Sequence, residues 1–124
     1  MRRLIVSLIL VGAFVAPAGA QAPATASSRL AWDQAAPTLA EANAYTYRYY
    51  PDGATAGIAF AAGSVTCSGT ASPFVCIVNF PAFTPGNHTL TLTAANVAGE
   101  SAPSVVLTFQ MVVTPAVPAN PRIQ

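Results

Sequence analysis

Few side chains in this sequence could do chemistry: two cysteines, one histidine and four carboxylates. A zinc site would need more ligands than Cys67, Cys76 and His88 supply, and a redox pair would favour a C-x-x-C spacing. A Ser-His-Asp triad would need His88 beside a hydroxyl and a carboxylate. Its expected position at the start of a strand, next to a turn, favours a structural role instead. With no glycine-rich phosphate loop either, we predict no catalytic residue, no metal site and no cofactor.

The charge balance excludes further classes of function. Of the 124 residues only 7% are charged, the net charge is +1, and no lysine is present. So sparse a basic surface cannot neutralise a phosphate backbone, and we predict no nucleic-acid partner. Two carboxylates could act as a general acid and base, but we interpret the four present as solvated loop charges. They are Asp33, Glu41, Asp52 and Glu100.

The first twenty residues have the pattern of a signal peptide. Arg2 and Arg3 precede thirteen apolar residues, 4–16, and Ala18-Gly19-Ala20 follows as a cleavage site before Gln21. Thirteen residues are too few for a membrane anchor, which needs about 20. We therefore predict a bacterial protein that is secreted, or exported to the periplasm or cell surface, with no membrane span after cleavage. The mature chain is long enough for one domain.

Cys67 and Cys76 are predicted to form a disulfide, because export would place them in an oxidising compartment. They flank residues 68–73, which are turn formers between two runs of β-forming residues. The bridge should therefore join the two sides of a hairpin. Closing a loop of about ten residues stabilises a fold by roughly 2–3 kcal/mol in the chain-entropy model.

Alternation of apolar and polar residues indicates strands, and no helical periodicity is sustained after residue 20. Only a single helical turn is expected, around residues 39–42. We predict an all-β, two-sheet antiparallel sandwich of six or seven strands over residues 29–114. A flexible lead or weak first strand, 21–28, precedes it, and a Pro-rich tail, 115–124, follows. The strand segments are 30–33, 45–49, 57–67 as one bulged edge strand, 74–80, 88–96 and 105–113.

Several of these segments resemble fibronectin type III domains. The strongest match is Thr84-Pro85-Gly86 before an alternating strand, with residues 94–104 resembling the last hairpin of that family. Trp32 resembles its core tryptophan, and the Tyr45-x-Tyr47-x-Tyr49 run resembles its third strand. Residues 85–92 are equally similar to bacterial immunoglobulin-like repeats. His88 stands where the family has the tyrosine of its tyrosine corner, so an imidazole N–H would have to replace the phenol.

The resemblance implies that two loops meet at one end of the sandwich, where they would form a binding surface. The candidates are Leu39, Glu41 and Asn43 in one loop and Val97, Gly99 and Glu100 in the other. It would also place Glu41 and Glu100 at the same end. An exposed patch for a protein or carbohydrate is a further hypothesis, and its candidates are Arg48, Tyr50 and Phe60.

The predicted function is a secreted, non-enzymatic fibronectin type III-like module for extracellular recognition or spacing, with an unidentified protein or glycan as its partner. The alternative is a structural protein that self-associates through exposed sheet edges, because low charge and many β-branched residues favour edge pairing. The oligomeric state stays open.

Overall fold

The computed structural model describes residues 21–124, and these form two β-sheets packed on each other. The prediction of an all-β protein with two sheets is confirmed, but the described residues form nine strands rather than the six or seven predicted. The predicted signal peptide lies outside the described residues. The larger sheet has the order β1 (Ala22–Ala24), β9 (Leu107–Met111), β7 (Gly86–Asn96), β3 (Thr46–Pro51) and β4 (Ile58–Ala59), with β8 (Gly99–Glu100) also paired to β7. The smaller sheet has the order β2 (Arg29–Gln34), β6 (Phe74–Asn79) and β5 (Thr66–Ser68).

Strand β7 is the centre of the larger sheet, and its alternating sequence decides which side chains face the interior. Leu90 and Leu92 point inward and are buried, while the threonines that alternate with them, Thr89, Thr91 and Thr93, point to the outer face. On one side β7 pairs with β3, where Tyr49 lies opposite Leu92. On the other it pairs with β9, where His88 lies opposite Phe109. Both pairings are antiparallel.

The core consists of two groups of buried side chains from both sheets. One is built around Leu30, Leu90 and Phe109, and the other around Tyr47, Phe74 and the cystine. Trp32 and Phe60 pack against both groups, with ring centroids 6.3 Å apart. The alternate tyrosines of the 45–49 segment face this core: Tyr47 is buried, and Tyr45 and Tyr49 pack against it.

Two segments need comment against their predicted structure. For residues 21–28 the structure has the second of the two alternatives, a short first strand: residues 22–24 form β1, which pairs in parallel with β9 and buries Ala24. Residues 57–67 form no single bulged strand, because β4 belongs to the larger sheet and β5 to the smaller one. The chain changes sheets in the turn around Gly63, whose φ of +77° is open to glycine at no steric cost.

The short helix α1 (Leu39–Ala44) confirms the predicted helical turn and extends it. Thr38 caps its N-terminus: the Glu41 amide donates to Thr38 Oγ1, and the Thr38 hydroxyl donates to the Glu41 carboxylate, both at 3.2 Å. At the other end the Tyr47 hydroxyl donates to the Ala42 carbonyl at 2.6 Å. Ala42 is fully buried, so the helix is fixed to the sandwich as well as capped.

The disulfide joins Cys67 and Cys76, as predicted, and lies between the directly opposed residues of β5 and β6. Asn43 adds a second link at the same point, because its side chain accepts a hydrogen bond from the Cys67 amide at 2.9 Å and donates to the Cys67 carbonyl at 3.2 Å. The end of α1 is thus attached to the β5–β6 hairpin.

The segment between β8 and β9 runs beside β7 without regular strand geometry. Ser101 and Ser104 donate their amides to the carbonyls of Ala94 and Leu92, at 2.7 and 2.8 Å. Their hydroxyls in turn accept from the amides of Ala94 and Leu92, at 3.0 and 2.9 Å. The serine hydroxyls thus accept the β7 hydrogen bonds that backbone carbonyls accept in a regular sheet. Over residues 86–90, β7 pairs with β9 by regular strand pairing. The expected strand 105–113 is therefore shortened to Leu107–Met111.

Candidate functional site

His88, near the start of β7, is held by two acceptors, one on each ring nitrogen. Its Nδ1 lies 2.8 Å from Oδ2 of Asp52, and its Nε2 lies 2.7 Å from the backbone carbonyl oxygen of Thr84. Asp52 sits in the turn after β3, and its other carboxylate oxygen accepts from the Thr89 amide at 2.9 Å. We call Asp52, Thr84 and His88 the His88 clamp.

The clamp changes the protonation of both its ionisable groups. The hydrogen bond to Asp52, followed by the one to the Thr84 carbonyl, raises the pKa of His88. The amide of Thr89, followed by the His88 ring, lowers the pKa of Asp52. Two acceptors around one imidazole favour the doubly protonated ring, since the cation has an N–H at each nitrogen.

The clamp also brings a hydroxyl to the histidine, since Thr84 Oγ1 lies 3.3 Å from His88 Nε2. A carboxylate, an imidazole and a hydroxyl in a row are the components of a hydrolase triad. Nε2 nevertheless makes its shorter contact with the Thr84 carbonyl, which requires a proton on that nitrogen. A protonated Nε2 cannot take the proton of the Thr84 hydroxyl, so the clamp is poorly suited to activating a nucleophile.

The loop candidates separate into two groups. Leu39 packs against the core, Glu41 bonds to the helix cap, and Asn43 is tied to Cys67. Val97 and Gly99 instead lie exposed in the β7–β8 hairpin.

That hairpin forms one wall of a groove of about 380 Å³ at the end of the sandwich, which we call the end groove. Gly99 and Glu100 line this wall. The facing wall is made by Gln34, Ala35 and Tyr45, which sequence reasoning missed. None of the three candidates on α1 lines the groove, since Leu39 packs on the core, Glu41 bonds to the cap and Asn43 bonds to the Cys67 backbone. Glu41 and Glu100, which the resemblance would place at the same end, share no hydrogen-bond partner: Glu41 accepts from Thr38, and Glu100 accepts from Thr93.

The three candidates for an exposed aromatic patch do not lie together. Arg48 and Tyr50 are on the outer face of β3, whereas Phe60 is on the inner face, with its ring centroid 5.0 Å from that of Tyr49. Phe60 lies beyond a two-residue strand whose direction the sequence could not reveal. The patch as predicted is therefore corrected: Phe60 belongs to the core packing.

Arg48 and Tyr50 meet Glu100 instead. The hydroxyls of Tyr50 and Thr93 both donate to Glu100 Oε1, and Arg48 Nη1 lies 3.9 Å from Oε2. The Thr93 hydrogen bond, followed by the Tyr50 one and then by the charge of Arg48, lowers the pKa of Glu100. The carboxylate, which sequence reasoning treated as a solvated loop charge, is thus positioned by three side chains of two strands.

A second cavity, of about 360 Å³, lies beside this cluster on the outer face of the larger sheet. Its floor includes Thr89, Thr91 and Thr93, and Tyr50 and Glu100 are among the residues around it. We call it the threonine cleft. The alternation of threonines along β7 was visible in the sequence but indicated only a polar face.

Within residues 21–124 no group of three or more His, Cys, Asp or Glu side chains is placed to hold a metal ion. In the same part of the chain no helix has the length and apolar character needed to cross a membrane. No family model, no characterised protein and no solved structure matches this chain.

Proposed function

We propose that this chain is a secreted, non-enzymatic recognition module of the fibronectin type III or immunoglobulin-like kind, which binds an extracellular protein or glycan at the end groove. The observation that carries the proposal is the groove itself, whose two walls come from separate connections held by paired strands. Binding sites are commonly placed on connections that a rigid scaffold positions.

The family assignment within this proposal is supported by His88. In fibronectin type III and immunoglobulin domains a tyrosine hydroxyl forms a hydrogen bond to the backbone a few residues upstream. Here His88 Nε2 reaches the carbonyl of Thr84, four residues upstream. This contact is similar to that of the tyrosine corner, which is what supports the proposed family.

The lining of the end groove favours binding of a polar partner. Gln34 and Asn96 offer amides, Tyr45 offers an aromatic ring with a hydroxyl, and small residues between them leave the groove open. Ala98 lies on its wall and is exposed. A large side chain at this position would fill the groove without disturbing the core.

The test is a retention experiment with the secreted full-length gene product and two variants. Ala98→Trp fills the groove, and Ala71→Trp places the same side chain in the exposed turn between β5 and β6. Each protein is immobilised and exposed to the polysaccharide and protein fractions of the surface and medium of the cells that export it. Saturable retention by the unmodified protein and Ala71→Trp, but not by Ala98→Trp, supports the proposal. Equal retention by all three, or none by any, overturns it.

Export is a separate part of the proposal and has its own measurement. Cleavage after Ala20 gives a secreted protein that begins at Gln21, which intact mass and N-terminal sequencing determine directly. Recovery of the chain with Met1 and the apolar segment still attached would contradict it.

Self-association remains the second candidate, and one observation favours it. Among the described residues no strand pairs with the second edge of β2, although β2 is six residues long. Val105 and Val106 lie exposed in the segment that lines an apolar cavity next to Leu30 and Trp32. Such an edge can pair with a second copy. Sedimentation velocity over a hundredfold range of concentration would show a dimer or larger species, whereas a monomer throughout excludes this candidate.

A further inference from the structure

The threonine cleft has the composition of a ligand site that no part of the sequence reasoning assigned. On β7, Thr89, Thr91 and Thr93 occupy every second position, which spaces their side chains by about 6.8 Å along one face. Thr93 is buried and bonds to Glu100, but the hydroxyls of Thr89 and Thr91 have no hydrogen-bond partner within residues 21–124. The cleft therefore offers two hydroxyls that are free to donate and accept.

The aromatic side of the cleft is fixed in position. A Cβ atom at Gly57 would lie 2.6 Å from Tyr50 Cζ, so the tyrosine ring rests directly on the backbone of that glycine. The Tyr50 hydroxyl, at the same end of the ring as this contact, donates to Glu100 and so fixes that end a second time. A side chain held in this way loses little conformational entropy when a ligand binds beside it.

The charge of the cleft limits the class of ligand. Among residues 21–124, Glu100 is the only charged side chain that lines it, which disfavours a phosphate, a sulfate or a carboxylate ligand. Arg48 already lies beside that carboxylate, so a cationic ligand would compete with a charge of the protein itself. A purely apolar ligand would leave the threonine hydroxyls without partners.

A neutral ligand rich in hydroxyl groups satisfies all of these conditions. Its hydroxyls would donate to the free lone pairs of Glu100 and exchange hydrogen bonds with Thr89 and Thr91. Its C–H surfaces would lie against the Tyr50 ring and the apolar wall that Pro103 and Val106 provide. The volume of about 360 Å³ falls within the usual range of small-molecule sites, about 300–1,000 Å³.

We infer that the threonine cleft binds a neutral oligosaccharide. The inference rests on the proposed recognition function, but it names the ligand class and assigns the binding to the outer face of the larger sheet. Thr89, Thr91 and Glu100 make the polar contacts, and Tyr50 provides the stacking surface. Glu100 and Ser101 also line the end groove, so a longer glycan can pass from the cleft into it.

The test is calorimetric titration of the secreted protein with hexasaccharides of neutral sugars (glucose, xylose, mannose and N-acetylglucosamine) and with a hexamer of galacturonate as the charged comparison. Thr91→Val removes one cleft hydroxyl and keeps the β-branched shape. Thr66→Val makes the same change on exposed β5 of the other sheet. We expect at least one neutral hexasaccharide to bind, about three- to tenfold more weakly to Thr91→Val and unchanged to Thr66→Val.

Ala98→Trp distinguishes the cleft from the end groove. Retained oligosaccharide binding in this variant together with weakening in Thr91→Val supports the cleft. Binding lost in Ala98→Trp and unchanged in Thr91→Val overturns the cleft while leaving the proposed recognition function in place. No binding of any neutral hexasaccharide at millimolar concentration, or tighter binding of the galacturonate hexamer, overturns the inference whatever the end groove retains.

Discussion

The imidazole of His88 and the carboxylate of Asp52 join the ends of two adjacent strands, with Nδ1 and Oδ2 2.8 Å apart. Asp52 follows β3 and His88 lies near the start of β7, so the pair closes one end of these two adjacent inner strands of the larger sheet. Asp52 further exchanges two backbone-directed hydrogen bonds with Thr89, both at 2.9 Å.

This pair predicts how stability depends on pH. The folded pKa of His88 is raised above 6.5, so its contribution is complete below about pH 6.5 and is lost as the pH rises through the raised value. The folded pKa of Asp52 is lowered below 3.8, so its contribution is present above that pH and is lost as the pH falls. We expect the clamp to stabilise the fold most between about pH 4 and 6.5.

The measurement is urea denaturation of the protein and of His88→Gln at pH 5.5 and pH 9. The free energy of unfolding of the unmodified protein should fall between pH 5.5 and pH 9. Because His88 is the only histidine of the chain, it should fall much less in the variant. An equal decline in both proteins would show that other groups cause it.

We predict that the protein without its disulfide is less stable but still folds. Cys67 and Cys76 are nine positions apart in the chain and are both buried, so Cys67→Ala/Cys76→Ala should lower the free energy of unfolding by about 2–3 kcal/mol. Denaturation of the variant is compared with that of the unmodified protein with and without reductant. A variant as stable as the oxidised protein would contradict the prediction.

The Tyr47 hydroxyl predicts a change in both stability and titration. It donates to the Ala42 carbonyl at 2.6 Å, so Tyr47→Phe leaves a buried acceptor unpaired and should cost about 1–3 kcal/mol. Burial also raises the pKa of Tyr47 to about 12. Absorbance titration of the folded protein should show a tyrosine that ionises near pH 12, and Tyr47→Phe should remove that step alone. Loss of an earlier step instead would contradict the assignment.

The contact between Gly57 and Tyr50 predicts coupling between two substitutions. Gly57→Ala forces the Tyr50 ring to move and should destabilise the protein by about 1–3 kcal/mol. In a Tyr50→Ala background the same change has no ring to displace, so its cost should vanish. Equal costs in the two backgrounds, measured by denaturation of the four proteins, would show that the ring is not fixed by this glycine.

Deletion of the C-terminal tail, in contrast to the substitutions above, is expected to leave the stability of the protein unchanged. Residues 115–124 have no regular secondary structure and are exposed throughout. Their deletion should change the free energy of unfolding by less than about 0.5 kcal/mol. A larger loss in a denaturation experiment would show that the tail packs against the sandwich.

The features predicted from the sequence are those that local pattern determines. The alternation along residues 88–96 predicted a strand, on which Leu90 and Leu92 share the buried face, and the turn formers between Cys67 and Cys76 predicted a hairpin with a bridge. Both depend on neighbours in the chain, where the period of two is a direct geometric property of a strand.

The features that were missed depend on contacts between distant residues. Tyr50 and Glu100 are fifty residues apart, and nothing local in either segment indicates that they bond. Strand β4 has two residues, too few for an alternating pattern, so the sequence could not reveal that Phe60 faces inward or that the chain changes sheets before β5.

The hydroxyls of Ser101 and Ser104 have a consequence for how this protein can change over evolution. In an ordinary sheet the backbone N–H and C=O groups of any residue except proline form the hydrogen bonds between strands, so these bonds do not depend on the side chain. Here the amides of Leu92 and Ala94 are paired with two side-chain oxygens. Backbone hydrogen bonding of β7, in the middle of the larger sheet, therefore depends on the identity of two side chains. A substitution of Ser101 or Ser104 that removes the hydroxyl leaves a backbone amide of β7 without its acceptor.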